Sequence, residues 1–115
     1  MNPPVLGNWP DGPPKTHRLA AVIRSLAQHS ERVIWGDHAF ERIELRDINT
    51  TVALRVLKTG DIDGTIRPGT DPGEWVVKMI SPASHERGAR NVGVVTIVLG
   101  TEYLFVKSVE WEDRR

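Results

Sequence analysis

Hydrophobic residues recur with a helical period in the first part of the chain. From Lys15 onward, the apolar positions i, i+3, i+4, i+7 and i+8 are Leu19, Val22, Ile23, Leu26 and Ala27. This spacing places them on one face of an amphipathic helix. Thr16 is a residue type that often occupies the N-cap, so the pattern predicts a helix over about residues 17–28.

Two further helices are predicted before the middle of the chain. The segment ERVIW at 31–35 indicates a short extended linker or an edge strand, and Asp37 can cap a helix over about 38–46. Asn49 is a good N-cap for a third helix, which Gly60 ends with a left-handed stop. The residues expected to face the core are Ala39, Phe40 and Ile43 in one helix and Val52, Ala53, Val56 and Leu57 in the other.

The hydrophobic pattern changes after Gly60. Four segments rich in β-branched and aromatic residues follow: DIDGTI, EWVVKMI, NVGVVTIVLG and EYLFVKSVEW. Turn residues separate them at Pro68-Gly69, Asp71-Pro72-Gly73 and Gly100-Thr101, and the last of these turns is short enough for a hairpin. We therefore expect an α+β fold in which N-terminal helices pack on one face of a three- to four-stranded antiparallel sheet.

The N-terminal segment differs in composition from the rest. Residues 1–14 carry five of the eight prolines, which predicts an extended proline-rich arm. Residues 15–115 are then one domain, because a chain of 115 residues can bury roughly 65% of its unfolded surface but has no room for a second core.

Composition and charge narrow the class of protein. The chain has 15 basic and 15 acidic residues, and this balance argues against nucleic-acid binding through bulk charge alone. It contains no apolar run near the ~20 residues of a membrane span and no pattern of a secretory signal. It also lacks cysteine, which fits a reducing cytoplasm. We expect a cytoplasmic protein without a membrane partner.

The second predicted helix carries the most informative polar residues. His38, Arg42 and Arg46 are spaced four residues apart and therefore lie on one flank of that helix. An imidazole can transfer protons near neutral pH, and two guanidiniums can hold a phosphate, so the stripe suits cleavage of a phosphodiester. The alternative is structural: His38 begins the helix with its ring bonded to the backbone, and the arginines form a solvated face.

Other polar residues are weaker candidates for phosphate contacts. Arg87 and Arg90 fall in a predicted loop where Gly88 permits a tight turn, although loops are also polar simply because they are solvated. Lys78, Lys107 and Tyr103 lie on predicted strands and can project from the open face of a sheet. The four histidines are scattered, and no phosphate-binding loop precedes a helix, so we predict no metal site and no cofactor.

The helical half resembles the DUF4258 family, the domain-of-unknown-function 4258 proteins. The family commonly reads HAxeRmxxRxI followed by a second helix that ends in glycine. The matching residues here are His38-Ala39, Glu41-Arg42, Arg46, Ile48, Val52, Val56-Leu57, Gly60 and Ile62. The resemblance extends over about residues 19–111 and is weaker in the strands. Ile43 stands where the family often has methionine, and Asp47 where glycine often precedes the isoleucine.

This resemblance implies a function. Such proteins are similar to small bacterial toxins of the RelE, ParE and BrnT kind, some of which are encoded beside antitoxin-like DNA-binding proteins. By position, the motif residues are His38, Arg42 and Arg46. The implied protein is the toxin of a type II toxin-antitoxin system, a metal-independent endoribonuclease acting on RNA, including ribosome-associated mRNA, with a cognate antitoxin as partner. The alternative is a non-catalytic module that docks an antitoxin or another protein.

Overall fold

The helices and strands occupy the segments in which the hydrophobic pattern predicts them. The structure is a computed structural model and describes residues 14–112. The helices are α1 (Thr16–Ala27), α2 (Asp37–Arg46) and α3 (Thr50–Thr59), with a short 3-10 turn at Ser30–Arg32. The strands are β1 (Val33–Trp35), β2 (Asp61–Pro68), β3 (Glu74–Pro82), β4 (Asn91–Leu99) and β5 (Tyr103–Glu112). The α+β class is confirmed. The proline-rich arm at residues 1–14 falls almost entirely outside the described residues.

The sheet is larger and less regular than predicted. Its order is β1-β5-β4-β3-β2, and β2 to β5 form the expected antiparallel meander. The prediction of a purely antiparallel sheet of three or four strands is wrong, because β1 pairs with β5 in parallel. A three-residue strand is too short to show an alternating pattern, and its partner lies at the far end of the chain.

One face of the sheet forms the core with the helices. Fully buried residues of α1 and α3, among them Leu19, Ile23 and Leu57, belong to one cluster with the inward residues of the strands. Those strand residues include Val77, Met79, Val94, Val98, Leu104 and Val106. Their alternation along β3, β4 and β5 places the intervening residues on the opposite face. We call that opposite surface the open face.

The predicted helix caps are correct in one case out of three. Asn49 precedes α3, and its side-chain oxygen accepts a hydrogen bond from the backbone N–H of Val52 at 2.8 Å. Thr16 and Asp37 are instead the first helical residues, so the caps are Lys15 and Gly36. Phe40, expected in the core, is 52% exposed.

The C-terminal ends of α2 and α3 differ in backbone conformation, and only one of them is left-handed. Gly60 has φ −80°, so the predicted left-handed stop there is wrong. Glycine is needed for space instead, since a Cβ would lie 2.6 Å from the carbonyl oxygen of Val56 and 2.7 Å from that of Ile80. The left-handed residue is Asp47, with φ 55° and ψ 44°, at the end of α2.

We expect Asp47→Gly to stabilise the protein. Glycine adopts this left-handed conformation without the steric cost that a Cβ imposes, and the gain is about 0.5–1 kcal/mol in the free energy of unfolding. Urea unfolding of both proteins measures the difference. Asp47→Ala is the matched control, because it keeps the Cβ; a glycine variant no more stable than the alanine variant would contradict the explanation.

None of the helices within residues 14–112 is both long enough and apolar enough to cross a bilayer.

Candidate functional site

The open face is organised into rows of side chains that run across the strands. One row crosses all five strands and contains Ile34, Phe105, Ile97, Val76 and Arg67, each paired with the next. We call it the apolar row. The adjacent row contains Ser108, Val95, Lys78 and Asp63. The open face therefore changes from apolar to charged along the length of the strands.

Helix α2 borders this face because of how the chain leaves β1. The N–H of Gly36 bonds the carbonyl of Val106, which extends the β1–β5 pairing by one residue before α2 begins. Gly36 leaves room for a close crossing, since a Cβ there would lie 2.8 Å from the Phe105 ring. From that point α2 packs against β5, where β1 has ended.

The predicted stripe is present on α2, but its members have different environments. His38, Arg42 and Arg46 are all helical, so each lies roughly 6 Å further along the axis than the one before. The side chain of His38 is 80% exposed and its Nδ1 lies 3.4 Å from Glu41 Oε1. Arg42 is half-buried and has no ion pair or side-chain hydrogen bond within residues 14–112. These two side chains are available to a ligand.

Arg46 is bound to the sheet. Its guanidinium donates a hydrogen bond of 3.1 Å to the carbonyl of Val109, on the part of β5 that extends past β1. It also lies 3.8 Å from Glu110, and its own carbonyl accepts a 2.8 Å bond from the Trp111 indole. Because a side chain here replaces a missing neighbouring strand, Arg46 has a structural role whatever else it does.

The structure brings His38 together with Lys107. Both line a hollow of about 290 Å³, whose other lining residues are Gly36, Asp37 and Phe105. We call it the His38 hollow. It lies at the N-terminus of α2, where the positive end of the helix dipole and the Lys107 ammonium favour an anion and the Asp37 carboxylate opposes one. Lys107 reaches it from an irregularity in the β4–β5 pairing, where β5 contains one extra residue.

Lys107 also connects this hollow to the other edge of the sheet. A second hollow of about 260 Å³ is lined by Lys107, Arg67, Ile97 and Val76, together with the turn after β2. Neither Arg67 nor Lys107 has an ion pair or a side-chain hydrogen bond within residues 14–112. The two hollows together form a path across the apolar row with unneutralised cations beside it.

Lys78 has a different environment. Its ammonium lies 3.0 Å from Glu112, 3.6 Å from Glu110 and 3.7 Å from Asp63. Gly93 on β4 makes the contact across three strands possible, because a Cβ there would lie 2.8 Å from Glu112 Oε2. The hydrogen bond to Glu112 raises the pKa of Lys78, as do the charges of all three carboxylates, while burial opposes the change. This cluster has more acidic than basic groups, even when Arg46 is included.

The raised pKa predicts how the stability contributed by Lys78 depends on pH. Charged Lys78 stabilises the fold fully below its unfolded-state pKa of 10.5, and this contribution is lost as the pH rises through the higher folded-state pKa. The difference in unfolding free energy between the wild type and Lys78→Met should therefore be largest near neutral pH and should shrink as the pH rises above 10.5. Urea unfolding across this range measures it; parallel pH profiles would contradict it.

The remaining candidates are divided between the two ends of the sheet. Tyr103 lies on β5 two residues before Phe105, and its ring is 5.5 Å from the Arg32 guanidinium. Arg87 and Arg90 belong to the loop between β3 and β4, at the opposite end, roughly 20 Å along β4 from Ile97. Arg90 stacks 4.4 Å from the Trp111 ring, so this loop is not part of the His38 hollow.

Sequence reasoning missed Asp37, Phe105 and Arg67 as site residues. Asp37 has the sequence context of a helix cap, yet it lines the hollow beside His38. Arg67 could have been found from the alternation of Asp63, Thr65 and Arg67 along one strand. Phe105 had no distinguishing local signal, since its face depends on the register of β5.

No group of three or more potential metal-ligating side chains is placed to hold an ion within residues 14–112. Comparison of the chain with protein-family models, with curated proteins and with solved structures found no significant match.

Proposed function

We propose that the protein is an endoribonuclease toxin of a bacterial type II toxin-antitoxin system, related to the DUF4258 proteins and with a RelE-like fold. The observation that carries this proposal is the juxtaposition of His38 and Lys107 in one hollow. The sequence indicates His38 through its place in the helical stripe and Lys107 as a lysine on a predicted strand, and the two residues are far apart in the chain. An exposed imidazole next to a cation at a helix N-terminus suits proton transfer on a bound phosphodiester.

The chemistry needs two proton transfers and charge stabilisation. A base takes the proton of the ribose 2′-hydroxyl, O2′ attacks phosphorus, and the bond to the 5′-oxygen breaks as an acid protonates it. The products are a 2′,3′-cyclic phosphate and a 5′-hydroxyl. His38 performs one transfer, and Asp37, which lines the same hollow, is a carboxylate suited to the other. Lys107 stabilises the phosphorane charge, with Arg42 one turn along α2.

The physiological setting follows from the same proposal. The substrate is RNA in the cytoplasm, including mRNA on the ribosome, and a cognate antitoxin holds the toxin inactive. The reaction uses side chains alone, without a metal or cofactor.

The direct test is inducible expression of the wild type and of His38→Ala in a bacterial host. We expect growth arrest with loss of intact RNA only in the wild type, and purified protein should release fragments ending in 2′,3′-cyclic phosphate. Normal growth and intact RNA with both proteins, at equal expression, would reject the nuclease.

A second candidate function is a protein-binding module without catalysis. It is favoured by the solvent-facing side of α2, where Leu45 is 74% exposed and lies next to Glu41 and Glu44. A contiguous patch of exposed apolar side chains marks a docking surface, whereas a single one is common on any protein. The salt dependence of binding affinity distinguishes the two functions. The affinity for RNA falls steeply as salt is added, whereas the affinity of an apolar protein interface changes little.

A further inference from the structure

The apolar row is unusual for a sheet face that none of the helices described within residues 14–112 covers. Solvent-facing positions of a one-sided antiparallel sheet are normally polar. Here Ile34, Phe105, Ile97 and Val76 are consecutive neighbours on that face and lie outside the helix-packed core cluster. Val76 is buried and Phe105 and Ile97 are half-buried, so the accessible part of the row consists of Ile34, Phe105 and Ile97. Ile34 is 41% exposed. Such a row is suited to a ligand with apolar faces.

The charges beside the row define the ligand further. Arg67 ends the row at β2, and Lys107 adjoins Phe105 on β5. Neither cation makes an ion pair or a side-chain hydrogen bond within residues 14–112, although Asp37 shares a hollow with Lys107 and Asp63 shares one with Arg67. The ligand that matches this arrangement has flat apolar groups joined by a negatively charged backbone.

Phe105 is already held in place for such a ligand. Its ring packs against the backbone of Gly36, so closely that a Cβ at that position would approach Cζ to 2.8 Å. Phe105 and Gly36 both line the His38 hollow. A ring fixed before binding loses little conformational entropy when a base stacks on it.

We propose that the apolar row binds a short segment of single-stranded RNA, with one base stacked on Phe105 and flanking phosphates on Lys107 and Arg67. This deepens the proposed nuclease and rests on it for the substrate class. The strand then crosses the sheet perpendicular to the β-strands and presents the phosphate next to the stacked base to His38. Duplex RNA is a poor ligand, because its bases are stacked inside the helix and cannot reach the row.

Binding can be measured separately from cleavage by using a 2′-O-methyl RNA 12-mer, which has no free 2′-hydroxyl to attack. Phe105→Leu keeps an apolar side chain but removes the aromatic face, and we expect it to weaken binding by at least about tenfold. Phe105→Trp should retain binding. Phe40→Leu is the matched control, since Phe40 is an exposed aromatic outside the apolar row, and it should bind as the wild type does.

A second experiment tests the contribution of Arg67 and Lys107 to RNA binding. It remains informative even if Phe105→Leu fails to fold. Replacing both Arg67 and Lys107 with alanine should reduce the slope of log K against log salt by about 1.4, as expected for two phosphates of a single strand. Arg18→Ala with Lys58→Ala is the control for total charge. An unchanged slope, or equal affinity for duplex and single-stranded RNA, would overturn the proposal.

Binding and cleavage measurements together test the RNA site on the apolar row separately from the nuclease activity. Binding that depends on Phe105, without cleavage of unmodified RNA, supports the row as an RNA site and rejects the nuclease. If the wild type cleaves RNA and Phe105→Leu binds the 12-mer as tightly as the wild type, the nuclease is supported and the apolar row is not the RNA site. Absence of binding to the 12-mer by folded wild-type protein also overturns the row, and leaves a protein partner as the occupant.

Discussion

Replacing His38 with alanine is expected to lower the rate of RNA cleavage by about 100- to 10,000-fold, the usual contribution of a general acid or base. The fold should be unaffected. The His38 side chain is 80% exposed, and its nearest charged partner is the equally solvated Glu41. Substitutions at such positions change stability by no more than about 0.5 kcal/mol.

The measurement is cleavage of a defined RNA by purified proteins, with circular dichroism and the melting midpoint followed in parallel. His29→Ala is the matched control, because His29 is also exposed and also has a nearby glutamate, but it lies outside the His38 hollow. Full activity of His38→Ala would remove the imidazole from the mechanism. Loss of activity accompanied by loss of structure would show that His38 is structural.

Replacing Arg46 with alanine is expected to destabilise the protein by about 2 kcal/mol, because a hydrogen bond from a charged donor is lost and the carbonyl of Val109 loses its partner. The contact with Glu110 is lost as well. Activity should fall at temperatures where part of the protein unfolds. Any loss of activity by Arg46→Ala must therefore be compared with the fraction of protein that remains folded.

Arg42→Ala is the control for Arg46→Ala. Arg42 is one turn earlier on the same flank and makes no ion pair within residues 14–112, so its removal should leave the unfolding free energy nearly unchanged. Urea unfolding of the two variants gives the comparison. Equal stability of Arg46→Ala and Arg42→Ala would show that the bond to Val109 contributes nothing measurable to the fold.

The three helices were predictable because each has a periodic apolar face and polar residues at its ends. Leu19, Ile23 and Leu57, all expected to face the core, are fully buried. The bounds of α1 and α2 differ from the prediction by about one residue, since Thr16 and Asp37 are good caps but also acceptable first helical residues. Phe40 was misplaced because periodicity on a ten-residue helix leaves the edge of the apolar face undefined.

The candidate site was predictable only in its residue types. Spacing placed His38, Arg42 and Arg46 on one flank of a helix, and the structure has them there. Nothing in that spacing indicated that Arg46 bonds a strand 63 residues later, whereas Arg42 makes no such contact. Lys78 and Lys107 looked equivalent as strand lysines, yet one is neutralised by three carboxylates and the other lines the His38 hollow.

By itself, the sequence determined the α+β class, the order of helices and strands, and most of the residues in the core, because periodicity and turn chemistry are local properties. Tertiary structure alone decided the parallel pairing of β1 with β5, the apolar row and the meeting of His38 with Lys107. These depend on register between distant segments. A shift of one residue in β5 would turn Phe105 and Lys107 to the other face, and only packing of the whole core selects the register that is observed.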